Sequence, residues 1–238
     1  MSAQKLLREL REQANPDKAR QLRRFFKTGP GEYGAGDVFL GVTVPVVRSI
    51  ARNYLDLPLT ELRKLSRSRF HEVRFSALVI LTLQYRRAET RARERELYMF
   101  YMNQLKSGGV NNWDLVDVSA PIIGEYLLSE RGARTLLRKM ARSSDLWVRR
   151  TSILFTFASI RIGDAKPTLD ICTMLLADEH DLIQKAVGWA LREVGKIDPA
   201  QLRSFLKDKG QKMSRTSLRY SIERFPPKER KAWLERTR

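Results

Sequence analysis

Three stretches of the chain decide its fold: "EVRFSALVIL" at Glu72–Leu81, "WVRRTSILFT" at Trp147–Thr156 and "LIQKAVGWAL" at Leu182–Leu191. Each has a polar or basic start and continues as an apolar run that contains small residues. In each run the apolar residues recur at the spacing of a helix face. The three stretches therefore read as versions of one helix.

The distances between these stretches are those of a helical repeat. Aligned on Val73, Val148 and Ile183, the stretches lie 75 and 35 residues apart. A further copy, "LVDVSAPII", places Val116 at 43 and 32 residues from its neighbours. Helix pairs with periods near 35 to 45 residues are typical of solenoids of the HEAT type. Because a single pair cannot bury its own apolar face, we expect one continuous all-α domain over residues 1–238, with a concave surface lined by one helix of each pair.

Helical periodicity runs through nearly the whole chain, and no strand alternation interrupts it. Short breakers such as "NPDK" and "FPPK" separate the segments, and only "TGPGEYGAGDVFLG" at Thr28–Gly41 forms a longer loop. The periodicity predicts helices over 3–14, 16–27, 44–55, 59–66, 71–86, 89–106, 112–128, 131–142, 145–161, 167–177, 181–195, 198–208, 213–223 and 227–237.

The charge of the chain predicts a polyanionic partner. Of 238 residues, 45 are Lys or Arg and 27 are Asp or Glu, which gives a net charge of +18. Nucleic acid is the simplest partner for this excess, and an anionic membrane surface is the competing one. The longest apolar stretch, Ser76–Leu83, is too short to span a bilayer. The N-terminus is amphipathic without the apolar core of a signal peptide, so we expect a cytoplasmic protein.

The few cysteines and histidines exclude some kinds of site. Cys172 is the only cysteine, and His71 and His180 are the only histidines, so we expect no metal and no cofactor. Cys172 lies in an apolar segment and is interpreted as a small core residue. Both histidines are interpreted as surface residues at helix starts.

Basic residues occupy similar places in successive repeats. Arg149 and Arg150 open one helix, Lys185 opens the next, and Arg215 follows in "MSRTSLR". Such a stripe would match a phosphate backbone. The alternative is that these are ordinary solvated charges.

Two helix faces carry a tryptophan beside charged groups. In "NNWDLVD", Asn112 is a candidate N-cap and Asp114 suits the helix dipole, which leaves Trp113 and Asp117 four residues apart on one face. In the "QKAVGWALRE" segment, Lys185, Trp189 and Arg192 share a face that we expect to be wet. Gly188 is costly inside a helix and indicates a close approach by another helix or by a ligand. Core packing is the ordinary alternative for Trp189.

The sequence resembles the AlkD family of DNA alkylation repair glycosylases, which are built from HEAT-like repeats. The resemblance implies an α-solenoid that holds duplex DNA and excises cationic N3- and N7-alkylpurines without a base-binding pocket. It covers nearly the whole chain in order, through "FLGVTVPVVRSI" (Phe39–Ile50), "NNWDLVDVSAPIIGEYL" (Asn111–Leu127), "DLWVRRTSILFTF" (Asp145–Phe157), "IQKAVGWALREVGK" (Ile183–Lys196) and "MSRTSLR" (Met213–Arg219).

The resemblance also implies a role for individual residues. Asp117 matches the catalytic carboxylate, Trp113 and Trp189 match the two active-site tryptophans, and Arg150 matches the arginine near the lesion's backbone. Asn112 departs from the pattern, because some members carry a second tryptophan at that position. The residues expected to contact DNA are Thr43, Arg48, Arg149, Lys185, Arg192, Ser214 and Arg215.

The chemistry suits a single carboxylate. An alkylated purine is already positively charged, so it can leave without a general acid, whereas most glycosidases use two carboxylates. Asp117 would stabilise the cationic sugar and orient a water, and the indole faces would attract the same positive charge.

Three other readings compete with this one. The chain could be a non-catalytic HEAT-repeat protein that binds damaged or branched DNA, or a HEAT scaffold for an acidic protein or RNA. Asp117 could also be a structural partner of Arg150. We expect a monomeric, nucleoid-associated enzyme whose partner is double-stranded DNA that carries alkylated purines.

Overall fold

The chain is all-α, as the periodicity predicts. The computed structural model describes residues 1–236, which form helices and loops together with one isolated β-bridge between Val38 and Phe70. The predicted last helix includes Thr237, and the predicted domain includes both Thr237 and Arg238. These two residues lie outside the described residues. The described chain divides into two compact units, unit 1 at Met1–Ile123 and unit 2 from Gly124 onward.

Unit 1 contains seven helices and the long loop predicted before Gly41. They are α1 (Ala3–Glu12), α2 (Pro16–Phe25), α3 (Val44–Arg52), α4 (Leu59–Ser66), α5 (His71–Arg86), α6 (Arg91–Lys106) and α7 (Trp113–Ile123).

Within residues 124–236, unit 2 contains eight further α-helices and two short 3-10 helices, at Gly124–Ser129 and Gly210–Lys212. The α-helices are α8 (Ala133–Ala141), α9 (Leu146–Phe155), α10 (Phe157–Arg161), α11 (Lys166–Met174), α12 (Asp181–Ile197), α13 (Pro199–Lys209), α14 (Arg215–Ser221) and α15 (Pro227–Arg236).

Each unit stacks its helices in two rows. In unit 1, α3, α5 and α7 pack side by side, while α4 and α6 lie behind α5. In unit 2, α9, α12 and α14 pack side by side, while α8, α11 and α13 lie behind them. We call α3, α5 and α7 the first row of unit 1, and α9, α12 and α14 the first row of unit 2. The four repeat copies recognised in the sequence are α5, α7, α9 and α12, so each of them is a first-row helix.

The predicted helix boundaries are confirmed closely for α4 and α5, whereas two predicted helices are interrupted. The helix predicted over 112–128 ends at Ile123 and continues as a 3-10 helix. The helix predicted over 145–161 breaks at Thr156, whose hydroxyl donates to the carbonyl of Ile153. At the first interruption the chain packs closely against α9, since a Cβ at Gly124 would lie 2.6 Å from the carbonyl oxygen of Phe155. Local periodicity does not contain such long-range contacts.

The loop between α2 and α3 is folded onto the start of α5. The buried carboxylate of Glu72 accepts the backbone N–H groups of Leu40, Gly41 and Val42 at 3.0, 2.8 and 3.3 Å. Gly41 has φ +84°, and a Cβ there would meet the carbonyl of Asn15 at 2.0 Å. The loop is therefore held against α5, where its residues can take part in a site.

The basic C-terminal segment forms a helix that is fastened to unit 2. Trp233 of α15 is buried, Arg215 donates to the carbonyl of Leu234 at 2.7 Å, and Arg203 of α13 pairs with Glu229 at 2.8 Å. In the described residues, no helix is both long and apolar enough to cross a membrane.

Candidate functional site

The first turns of α7 present the tryptophan and the carboxylate that the sequence singled out. Trp113 is the first residue of α7, and Asp117 follows it by one helical turn on the same side. Both side chains are half-buried. This agrees with the predicted helix face and leaves part of the indole and part of the carboxylate accessible.

A stack of aromatic rings supports the indole of Trp113. The ring of Phe26 lies parallel to the indole, with 5.2 Å between centroids and 11° between planes. Phe39 stacks on Phe26 at 5.0 Å, and the imidazole of His71 stacks on Phe39 at 4.7 Å. Phe25, which is exposed, meets the indole edge-on at 5.9 Å. Trp113 is therefore the outer layer of a packed aromatic cluster.

Behind these rings lies a largely buried network of charged and polar groups, which we call the His71 network: Asp37, His71, Arg74, Asn112 and Asp114. His71 Nδ1 lies 3.0 Å from Asp37 Oδ2, and His71 Nε2 lies 2.8 Å from Asp114 Oδ2. The other oxygen of Asp37 accepts from Arg74, and Asn112 Nδ2 donates to Asp37 Oδ2 at 2.9 Å. These side-chain contacts join the loop between α2 and α3 to α5 and to the start of α7.

The network favours the charged forms of Asp37 and His71. Burial disfavours the charged form of Asp37, but the hydrogen bond to His71 and the charge of Arg74 outweigh it, so the pKa of Asp37 is lowered. Burial alone would lower the pKa of His71, but the charges and hydrogen bonds of Asp114 and Asp37 raise it to about 9. At neutral pH His71 is therefore an imidazolium between two carboxylates, and both of its ring nitrogens donate.

Three interpretations from the sequence need correction here. His71 begins α5 as expected, but it is only 3% exposed and is not a surface residue. Asp114 does more than face a helix dipole, because it pairs with His71. Asn112 precedes α7 as an N-cap would, yet its side-chain oxygen accepts from the N–H of Trp113 itself at 2.8 Å, and its amide binds Asp37. Partners distant in sequence account for all three differences.

In unit 2, Trp189 lies half-buried on α12. Its indole Nε1 donates to Glu193 Oε1 at 3.0 Å, and its ring packs edge-on against Phe157 at 4.8 Å. Lys185 and Arg192 on the same helix are also partly exposed, which agrees with the expected wet face. Gly188 is explained by a neighbouring helix, since a Cβ there would lie 2.4 Å from Tyr220 Cβ and 2.6 Å from the carbonyl oxygen of Ser217 in α14.

The two arginines that open α9 are engaged within unit 2. Arg150 is 4% exposed, and its guanidinium donates to the carbonyl of Leu182 at the start of α12. Arg149 pairs with Asp178 at 2.7 Å and donates to the carbonyls of Ser143 and Ser144. Both arginines therefore hold neighbouring segments of unit 2 against α9. Arg150 is less accessible to solvent than the predicted stripe of basic residues would require.

The remaining expected contacts to DNA lie at helix starts or on exposed faces. Lys185 pairs with Asp181 at 2.6 Å, and Arg192 pairs with Glu223. Ser214 caps α14 through the N–H of Ser217 at 3.1 Å, and the next residue, Arg215, is exposed.

In unit 1, Thr43 and Arg48 are exposed on the first helix of the row. Thr43 precedes α3, where its hydroxyl makes no capping bond. The guanidinium of Arg48 lies 5.8 Å from the centroid of Phe75, a cation–π contact that still leaves the arginine exposed. Both remain predicted DNA contacts.

All of the predicted site residues are on, or directly precede, first-row helices. In unit 1 the row carries Thr43, Arg48, Trp113 and Asp117, and in unit 2 it carries Arg149, Arg150, Lys185, Trp189, Arg192, Ser214 and Arg215. The sequence interpretation missed Asp37, His71, Arg74 and Phe26. The available signal was a rare histidine at the start of a repeat helix, beside a short acidic and aromatic loop.

Cys172 is fully buried, and burial raises the pKa of its thiol, which confirms the prediction of an inert core residue. Residues 1–236 contain no group of three or more His, Cys, Asp or Glu side chains arranged to hold a metal ion.

Solved structures of similar fold include two bacterial proteins. A protein of Enterococcus faecalis described as a predicted DNA alkylation repair enzyme superposes with a TM-score of 0.71 at 18% identity, covering 90% of this chain and 98% of its own. AlkD2 from Streptococcus mutans superposes with a TM-score of 0.54 at 16% identity, covering 94% of this chain and 98% of its own. At these identities the likeness shows the fold. No curated protein matches the chain.

Sequence comparison gives the family directly. Residues 6–225 match the family described as DNA alkylation repair enzyme, which is nearly the entire chain and includes all of the candidate site residues. The resemblance inferred from the motifs is therefore confirmed: the chain belongs to the DNA alkylation repair enzyme family.

Proposed function

We propose that the chain is a DNA glycosylase that hydrolyses the N-glycosidic bond of cationic N3- and N7-alkylpurines in duplex DNA. The observation that carries this proposal is the pairing of Trp113 with Asp117 on the first two turns of α7, both partly accessible. A partly exposed indole beside a carboxylate offers π-type attraction and a negative charge to one positive centre.

The proposed reaction needs one carboxylate and no general acid. The C1′–N bond breaks, and the alkylpurine leaves with the bonding electrons, which cancel its positive charge. Asp117 stabilises the positive charge that develops on the sugar and orients the water that adds to C1′; that water then releases one proton to the solvent. Because the lesion supplies the labile leaving group, neutral bases remain in place.

Charged and aromatic groups in unit 2 support the same proposal. Trp189 presents part of its indole between Lys185 and Arg192 on α12, and Arg215 is exposed on the adjacent α14. The net charge of +18 favours association with the DNA backbone through release of counterions. In this proposal Arg150 acts near the lesion's backbone, and the protein acts as a nucleoid-associated monomer in the cytoplasm.

Release of a methylated purine from duplex DNA by the purified full chain tests this function. The proposal predicts free N7-methylguanine and an abasic site. Binding of the same duplex without release would instead indicate a non-catalytic DNA-binding protein. A duplex that carries uracil is the matched substrate control, because its neutral leaving group would require an acid, and no release is expected from it.

A further inference from the structure

We infer that His71 is a positioning residue: held between Asp37 and Asp114, it fixes the start of α7 and so sets the placement of Trp113 and Asp117. This inference rests on the proposed function for its link to catalysis. His71 is almost fully buried and is not assigned a contact with DNA or with the reacting atoms.

Side-chain hydrogen bonds anchor the backbone on both sides of Trp113. Asn112 and Asp114 flank it in the sequence, and both side chains reach residues from other parts of unit 1. Asn112 binds Asp37 at 2.9 Å, while Asp114 binds His71 at 2.8 Å. Because Asp37 also binds His71, the two anchors meet on the same imidazole. The first turn of α7 cannot shift without breaking one of these bonds.

Aromatic contacts also connect His71 to the indole of Trp113. The ring of Phe26 is in contact with the indole of Trp113 at 5.2 Å and with the imidazole of His71 at 4.9 Å. Phe39 stacks on both Phe26 and His71. A change in the orientation of His71 would therefore reach Trp113 both through Asp114 and through Phe26. The carboxylate of Asp117, one turn along α7, would move with the helix.

The charges within the His71 network balance one another. Two carboxylates and two cations, His71 and Arg74, are buried together, and removal of one charge leaves its partner uncompensated. A neutral imidazole has only one N–H, so it could donate to Asp37 or to Asp114 but not to both. One carboxylate would then face a lone pair. Loss of the His71 proton would therefore break one of the two hydrogen bonds that hold the network together.

A simple contribution to stability is the alternative explanation. Buried ion pairs are a weak source of stability, because apolar residues of similar volume often serve as well or better. In unit 1 the His71 network lies directly behind the candidate catalytic tryptophan, rather than elsewhere in the core. A test must therefore separate the position of Trp113 from the stability of the domain.

Fluorine NMR of the full chain labelled with 5-fluorotryptophan makes this separation. The chain has four tryptophans, and Trp113→Phe assigns the line of Trp113. The groups that face His71 are Asp37 and Asp114, with Arg74 behind Asp37 and Glu72 as its neighbour on α5. The pKa of Asp37 is lowered, so Asp37 stays charged above pH 7. In the wild type, the Trp113 line should shift between pH 7 and 10 with a midpoint near that of His71.

His71→Gln is the deciding variant, and Tyr54→Phe is its control. His71→Gln should abolish the titration of the Trp113 line. Tyr54→Phe removes another hydrogen bond of unit 1, to Glu9 at 2.7 Å, which does not involve α7, so the titration should persist. Should His71→Gln fail to fold, Asp114→Asn serves instead and should move the midpoint to lower pH. A Trp113 line that ignores pH in the wild type, or titrates equally in wild type and variant, overturns the inference.

Single-turnover excision completes the test. With saturating enzyme, His71→Gln should excise N7-methylguanine between about 10- and 100-fold more slowly, as expected when a reacting group is displaced by a fraction of an ångström to an ångström. Its affinity for DNA should stay within about twofold, since it touches no phosphate. An unchanged excision rate also overturns the inference. If the wild type releases no base, the proposed function fails, and the fluorine titration still decides whether His71 positions Trp113.

Discussion

His71 Nε2 lies 2.8 Å from Asp114 Oδ2, and Asp114 immediately follows the candidate catalytic Trp113. A buried imidazolium on α5 is thus bonded to the first turn of the helix that carries Asp117. This relationship makes the stability of unit 1 depend on pH in a definite direction.

The first prediction concerns that pH dependence. The pKa of His71 is about 9 in the folded chain, above its ordinary value of 6.5. The contribution of His71 to the free energy of unfolding is therefore fully present below pH 6.5 and is lost as the pH rises to about 9. In this window the free energy of unfolding should fall by about 1.4 kcal/mol per pH unit for the one proton involved. Urea unfolding at several pH values measures the slope, and His71→Gln should remove it. An equal slope in the variant would contradict the assignment.

The second prediction concerns Gly188 in α12. Gly188→Ala places a methyl group against Tyr220 Cβ and the carbonyl of Ser217, so α14 must move away. We expect a loss of about 1–3 kcal/mol, because overpacking outweighs the better helix propensity of Ala. Gly195→Ala is the matched control on the same helix, since its added methyl group meets the side chain of Leu202, nearest at the terminal Cδ2, and no backbone atom. Thermal melts of the two variants should differ clearly, and equal melts would contradict the close approach of α14.

The third prediction separates a core role from a functional role for Trp189. The indole is only half-buried and packs edge-on against Phe157, so Trp189→Ala should cost clearly less than the about 3–5 kcal/mol of emptying a fully buried aromatic site. Excision should nevertheless be lost. Phe155→Ala, which empties a fully packed site, should cost about 3–5 kcal/mol and serves as the comparison. A Trp189→Ala variant as unstable as Phe155→Ala would assign Trp189 to the core.

The fourth prediction concerns the pairing of Arg192 with Glu223. If Arg192 meets a phosphate, Arg192→Ala should lower the salt slope of DNA binding by about one. Glu223→Gln should strengthen binding at low salt, because it removes the carboxylate that competes with the phosphate. Fluorescence anisotropy over a range of salt concentrations measures both effects. Arg142→Ala, an exposed arginine at the end of α8 and outside the first row, should change the slope less. An unchanged slope in Arg192→Ala would remove it from the interface.

The helices could be predicted from sequence because their signal is local. Apolar residues at helical spacing, bounded by breakers, place α4 and α5 at the residues where the structure has them. The repeat likewise identified four of the six first-row helices, and the motif segments placed Trp113 and Asp117 on one face of a helix. Each of these inferences uses residues that are close together in the chain.

The His71 network could not be predicted in the same way, because its partners are far apart in sequence. His71 and Asp37 are separated by 34 residues, and Asn112 and Asp37 by 75. The position of Asp114 in the first turn of a predicted helix already explained its charge. No neighbouring residue in the sequence indicated that it has a partner. The break of α9 at Thr156 and the end of α7 before Gly124 likewise depend on packing that periodicity does not report.

Asp117→Asn, assayed by single-turnover excision of N7-methylguanine from duplex DNA, tests whether Asp117 is the catalytic carboxylate. The substitution keeps shape and hydrogen bonding but removes the charge. Excision should fall by about 100-fold or more, the cost of losing one group that stabilises developing charge. DNA binding should stay equal or tighten, because the carboxylate repels the phosphodiester before positive charge develops on the sugar.

Asp208→Asn makes the same change of charge at an exposed pair with Lys209 and should excise at the wild-type rate. If Asp117→Asn also excises N7-methylguanine at the wild-type rate, Asp117 is not the catalytic carboxylate, and its role is structural.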